Sequence, residues 1–200
     1  MINEQRPTMK KVILLFLTIC LAFIAGAQQL PAPEHWDAET FPFPIEFAPT
    51  IPYEGAEIIR FTPGWGDVKS EQLWSYCFVW WIKEDSKLDA ASLTRDLQQY
   101  YQGLVGRNII SRKIDSTKVV PVVAAFHNAG PKQSSDFVGT VSMLDYLSQR
   151  PITLNVTVQT RTCADQKKKA VFFSISPQPF NHQLWKDFEG IWKGFQCTSK

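Results

Sequence analysis

The chain has 200 residues, 44% hydrophobic and 13% aromatic, with 21 basic side chains against 19 acidic ones. Three of the bases (Arg6, Lys10, Lys11) and one acid (Glu4) lie ahead of Gln28, so the remainder is electrically balanced. Without a basic field to attract a phosphate backbone, nucleic acid is a poor partner. A chain of this length can bury a proper core and in the simplest case forms one domain.

The first element is a targeting segment. Lys10 and Lys11 precede an apolar run from Val12 to Ile24, and Ala25-Gly26-Ala27 supplies the small residues a signal peptidase requires. The run is too short to span a bilayer comfortably. The pattern predicts a Sec-type signal peptide over residues 1–27, started at Met9 and cleaved near Ala27. The product is then periplasmic or secreted, with no stable membrane insertion after cleavage. Ile19 ahead of Cys20 is not the small residue that lipidation requires.

Residues 28–52 are dense in proline (Pro31, Pro33, Pro42, Pro44, Pro49, Pro52) and in aromatics (Trp36, Phe41, Phe43, Phe47). Proline blocks helices and removes ladder donors, so this reads as an extended arm with at most a short edge strand. Its aromatics predict that it packs onto the α+β domain that follows, residues 53–200, because a free linker would be more polar.

Glu57 to Phe61 makes a short strand, followed by a loop at Thr62-Pro63-Gly64-Trp65-Gly66-Asp67. Leu73 to Ile82 is apolar on both faces: Leu73, Cys77, Val79 and Trp81 on one, Trp74, Tyr76, Phe78, Trp80 and Ile82 on the other. Such a strand must be covered on both sides, which makes it interior. A helix follows from Ala90 to Leu104, capped by Asp89 and stapled by Leu88 against Leu93. Leu93, Leu97, Tyr100, Tyr101 and Leu104 form its inner face, Arg95, Asp96 and Gln99 its outer one, and Gly103 and Gly106 mark its end.

Four further strands are expected. Lys118 to Phe126 contains Pro121 and reads as an edge or bulged strand. Asp136 to Tyr146 and Ile152 to Cys163 are joined by a turn around Gln149-Arg150-Pro151, and Lys169 to Ser176 is the last. Within Ile152–Cys163 the apolar residues alternate with Thr153, Asn155, Thr157, Gln159 and Arg161, so one face there is polar. Asn181 caps a closing helix whose buried stripe is Leu184, Phe188, Ile191, Trp192 and Phe195, with Phe180 and Trp185 as its staple.

The order is β-β-α-β-β-β-β-α with hairpin-length connections late in the chain. Short connections force antiparallel pairing, so the expected fold class is α+β, one twisted antiparallel sheet of about six or seven strands with two packed helices. In its early helix, its meander and its closing amphipathic helix (Trp185, Phe188, Phe195), the layout loosely resembles the PsbP/Mog1-type fold. A cystatin-like or NTF2-like sheet is the alternative. Likeness of layout carries no activity with it.

Beyond residue 27 there are three cysteines. In an oxidising compartment that implies one disulfide and one buried thiol. Cys77 lies in the interior strand, whereas Cys163 ends a strand and Cys197 follows the last helix, so Cys163–Cys197 is the predicted pair. No cysteine spacing suits zinc.

Two places attract attention as ligand sites. Trp65, between Gly64 and Gly66, either projects to stack on a sugar or apolar ligand or folds down as a lid on the core, and the gain from burying a large aromatic favours the lid. Asn155, Thr157, Gln159 and Arg161 form a polar row that, with Lys167 to Lys169 nearby, suits an anionic or carbohydrate ligand; a solvated sheet face has the same pattern. Glu34, His35, Asp37 and Glu39 offer metal-ligand chemistry without a second histidine at suitable spacing. Glu54, Glu57 and Asp67 are carboxylates whose spacing selects no role. The chain has no Gly-x-Ser-x-Gly elbow, no Ser-x-x-Lys and no cofactor motif, so no catalytic residue, cofactor or metal is assigned. These features predict an exported, non-enzymatic module of the bacterial envelope that binds a small molecule or an envelope protein. The rival is an exported hydrolase whose site assembles at the sheet edge from residues distant in sequence.

Overall fold

The computed structural model describes residues 29–131 and 133–197; the predicted signal segment and its start at Met9 lie outside the described residues. Among the described residues seven strands form one antiparallel sheet: β1 (Asp37–Pro42), β2 (Gly55–Phe61), β3 (Tyr76–Lys83), β4 (Val123–Asn128), β5 (Phe137–Asp145), β6 (Arg150–Cys163) and β7 (Lys168–Ser176). Their spatial order is β1-β2-β3-β7-β6-β5-β4. Two helices, α1 (Ala90–Arg112) and α2 (Gln183–Gly194), complete the α+β architecture. The arm supplies the seventh strand, β1, which pairs with β2 from Asp37↔Phe61 to Pro42↔Ala56.

β3 is interior, as its two apolar faces require. Tyr76, Phe78, Trp80 and Ile82 join Val171, Phe173, Leu154, Val156 and Val141 in the larger core beneath α1. Cys77 and Val79 join Ile58, Ala170 and Phe172 in a second core beneath α2. The sheet is thus the middle of three layers. The arm contributes to both cores: Leu30 and Trp36 pack on the α2 side, Ile45, Ala48 and Ile51 on the α1 side. Beyond β6 the α2 side is uncovered among the described residues, with Val123, Ala125, His127 and Thr140 exposed.

α1 begins in a capping box, Asp89 accepting from Ser92 N at 2.7 Å while Ser92 Oγ accepts from Asp89 N at 2.9 Å. It does not stop near Leu104 but runs to Arg112, ending at Lys113 in a left-handed cap with φ 53°. Gly103 is a contact residue rather than a terminator: a Cβ there would lie 1.7 Å from the Phe47 carbonyl oxygen. Asp96 belongs to the inner face, not the outer. It is fully buried, accepting from Tyr53 Oη at 2.7 Å and pairing with Arg95, so a donor from the segment that enters β2 satisfies it.

Other boundaries shift for similar reasons. β4 starts at Val123, past Pro121, and takes the sheet edge; Ser116–Lys118 is a short 3-10 turn instead of strand. Trp74 precedes β3 in a turn with φ 53°, and Arg150 and Pro151 lie inside β6, the turn falling just before them. His182, not Asn181, caps α2, its Nδ1 accepting from Leu184 N at 3.3 Å. The Phe180 and Trp185 rings meet at 4.7 Å, and Leu184, Phe188, Ile191, Trp192 and Phe195 are buried. Cys163 and Cys197 form a disulfide with Cα atoms 5.4 Å apart, leaving Cys77 as a free, buried thiol. Among the described residues no helix is long and apolar enough to cross a membrane.

Candidate functional site

The α1 side of the sheet is not filled to its end. Where β2 finishes and β3 begins, Phe61 and Tyr76 are register partners, and the loop between them folds back to close the space. Trp65 N donates to Thr62 O at 3.1 Å and Trp74 N to Trp65 O at 2.9 Å. Gly64 serves this turn, since a Cβ would meet Ser70 Oγ at 2.1 Å. The half-buried Trp65 ring then lies 4.6 Å from Phe61. Trp74 is pinned by its indole N–H, which donates to buried Asp145 Oδ1 at 2.8 Å, and Tyr146 packs edge-on against it at 5.0 Å.

These rings wall a cavity of about 220 Å³ that α1 and the arm complete. From α1 come Tyr100, Leu104, Arg107, Asn108 and Arg112; from the arm, Glu39, Phe41 and Phe47. The walls are aromatic, and the charged lining is two arginines against one carboxylate, Glu39, a net positive balance. The Arg107 guanidinium sits 5.1 Å from the Phe47 ring centroid and that of Arg112 sits 5.2 Å from Tyr146. Arg112 Nε also donates to Asn108 Oδ1 at 3.3 Å. No carboxylate of the described residues forms an ion pair with either arginine.

Behind this cavity lies a buried acid. Glu57 is fully buried, Oε1 accepting from Tyr100 Oη at 2.7 Å and Oε2 from Trp80 Nε1 at 2.8 Å. Burial pushes its pKa up to about 7 against the pull of those two hydrogen bonds, and the charge of Glu39 adds slightly. Burial also drives the Tyr146 phenol up to about 12 and holds the hydrogen-bonded pair Tyr76 and Tyr101, 2.5 Å apart, well above the ordinary range. The tyrosines that line the cavity, Tyr76, Tyr100 and Tyr146, therefore stay neutral at physiological pH.

Trp65 and the polar row of β6 lie on opposite faces of the sheet and do not form one site. The row itself divides. Asn155 Nδ2 donates to Gln178 O at 3.1 Å, and Arg161 donates to Phe195 O while its guanidinium lies 4.4 Å from the Trp192 ring. Both hold the segments flanking α2. Thr157 and Gln159 instead line a groove between the sheet and α2. Lys169 Nζ donates to Ser86 O at 2.5 Å, away from that groove.

The three early carboxylates do not converge: Glu54 pairs with Lys83 at 2.6 Å, Glu57 is sealed in, and Asp67 accepts from Lys69 N within its own loop. Among the described residues no three His, Cys, Asp or Glu side chains gather to hold a metal, so Glu34, His35, Asp37 and Glu39 form no such cluster. Arg107, Asn108 and Arg112 escape sequence reading because ending α1 at Gly103 or Gly106 removes them from the helix. Continuing the periodicity places Tyr100, Leu104 and Arg107 at i, i+4 and i+7, on one face.

Comparison with protein-family models, with curated proteins and with solved structures found no match for this chain, so the likeness to the PsbP/Mog1-type layout rests on element order alone.

Proposed function

We propose that this is an exported, non-enzymatic binding module that takes a small amphipathic anion, an aromatic or short-acyl carboxylate, into the cavity walled by Trp65. The observation that carries the proposal is the aromatic cavity lined by two guanidinium groups against the single carboxylate of Glu39, with neither arginine in an ion pair among the described residues. Apolar walls favour a ring or short chain by about 25 cal/mol per Å² removed from water. Arginine supplies the paired donors that fit a carboxylate. At about 220 Å³ the space suits one ring or a short chain rather than a larger ligand. Export is supported by the charged and apolar pattern ahead of Gln28 and by the Cys163–Cys197 bridge.

Titration with phenylacetate and hexanoate, followed by tryptophan fluorescence, tests the proposal. Saturable binding is expected, weakened at least about tenfold in an Arg107→Gln/Arg112→Gln double variant, with phenylacetamide failing to compete. Equal binding by the double variant, or none by the folded wild type, would discard it.

One observation favours the rival hydrolase: Glu57 titrates near neutrality and touches Tyr100, which lines the cavity. Both of its oxygens are already bonded within the core, however, which favours binding over turnover. Hydrolysis of a chromogenic ester by the wild type and its loss in Glu57→Gln would reverse that order.

A further inference from the structure

We propose that the groove on the opposite face, between β5–β7 and α2, is a second ligand site and that it takes a neutral saccharide. Its floor is a row across three strands: Val138 and Thr157 are register partners, as are Thr157 and Ser174. Ser174 is 3% exposed, yet its hydroxyl makes no hydrogen bond with the described residues, and neither does that of Thr157. Elsewhere the fold is strict about such groups. Among the described residues no side-chain nitrogen or oxygen sealed from solvent lacks a partner, and neighbouring Ser176 is paired with Ser75 at 2.8 Å. The Ser174 oxygen therefore opens into the groove, where two adjacent hydroxyls stand ready to donate and accept.

The wall facing this floor is aromatic. Phe180 is 48% exposed and rests against Trp185, whose indole N–H donates to Gln178 O at 3.2 Å and so fixes the ring. Gln159 commits its amide N–H to Ser134 O at 3.0 Å, which leaves the amide oxygen as an acceptor at the rim. Rings beside neutral hydroxyls and amides match a sugar, which presents C–H faces to the one and hydroxyls to the other. The charges at the rim, Lys186 and Glu189, are of opposite sign, and Glu189 already pairs with Lys193 at 2.9 Å. The groove thus lacks the cationic character of the Arg107 and Arg112 cavity, and a neutral ligand fits it better than an anion. At about 320 Å³ it admits a mono- or disaccharide. The site shares no residue with the aromatic cavity and stands or falls independently of it.

The test is NMR titration of the isotope-labelled protein, expressed as the full chain, with glucose, maltose, cellobiose and N,N′-diacetylchitobiose into the tens of millimolar. At least one saccharide is expected to shift the Thr157 and Gln159 amides and the Trp185 indole N–H, leaving the Trp65 indole unmoved. Phe180→Ala, at an exposed position, and Thr157→Val, close in shape, should each weaken binding about three- to tenfold with the spectrum still that of a folded protein. The absence of shifts at the groove with all four sugars, or binding unchanged in both variants, would overturn the proposal. So would shifts there produced by acetate or by peptide in place of sugar.

Discussion

Replacing Glu57 by glutamine should make the protein more stable above neutral pH than below it, relative to the wild type. Glu57 lies on β2, forms no ion pair among the described residues, and its oxygens accept from Tyr100 and Trp80. Its pKa rises from 4.5 to about 7 through burial. An acid whose folded pKa is raised holds its proton more tightly in the folded state. Its contribution to stability is full below pH 4.5 and is lost as pH climbs through about 7. At about 1.4 kcal/mol per pH unit the whole loss is about 3 kcal/mol, most of it between about pH 5 and pH 8. Glutamine keeps an oxygen for Trp80 and an amide for Tyr100 and cannot ionise. Urea unfolding followed by tryptophan fluorescence, at steps between those two pH values, gives the wild-type and variant stabilities side by side. The variant's advantage should grow by about 2–3 kcal/mol across the range, whatever its sign at the acid end. All other titrating groups are common to both proteins, so a difference independent of pH would refute the claim that Glu57 gains its charge near neutrality.

Three further outcomes follow from the packing. The Cys163–Cys197 bridge spans 34 residues, so the Cys163→Ser/Cys197→Ser variant should lose about 3–4 kcal/mol by loss of loop closure, read from its urea midpoint; an unchanged midpoint would mean that the bridge contributes nothing. Gly103→Ala should cost at least about 2 kcal/mol because its Cβ meets the Phe47 carbonyl, whereas Gly106→Ala, with nothing within 4 Å, should gain up to about 1 kcal/mol; thermal melts of the pair give both signs. Asp145→Ala leaves the Trp74 indole and two backbone N–H groups without their acceptor and should lower stability by about 3 kcal/mol, with a shift in near-ultraviolet dichroism from the freed indole.

Whatever depends on a residue's own chemistry and its nearest neighbours along the chain was readable in advance. The two apolar faces of β3 make it interior because a strand exposes alternate side chains, and nothing else in the chain can change that. The stripe of α2 follows from helical spacing. The disulfide follows from cysteine number and from Cys77 lying inside a core strand. What escaped depends on partners far away in sequence. Gly103 reads as a helix end until Phe47 is seen to press against it. Glu57 and Asp96 read as surface acids until Tyr100 and Tyr53, each 43 residues distant, bring their hydroxyls. The polar row of β6 reads as uniform, yet the segments flanking α2 engage Asn155 and Arg161 and leave Thr157 open to the groove. Local pattern determines which faces must be buried, because burial of apolar surface is roughly proportional to area and indifferent to the partner. Hydrogen bonds and close backbone approach are directional and specific, so the two candidate sites took shape only when distant segments met.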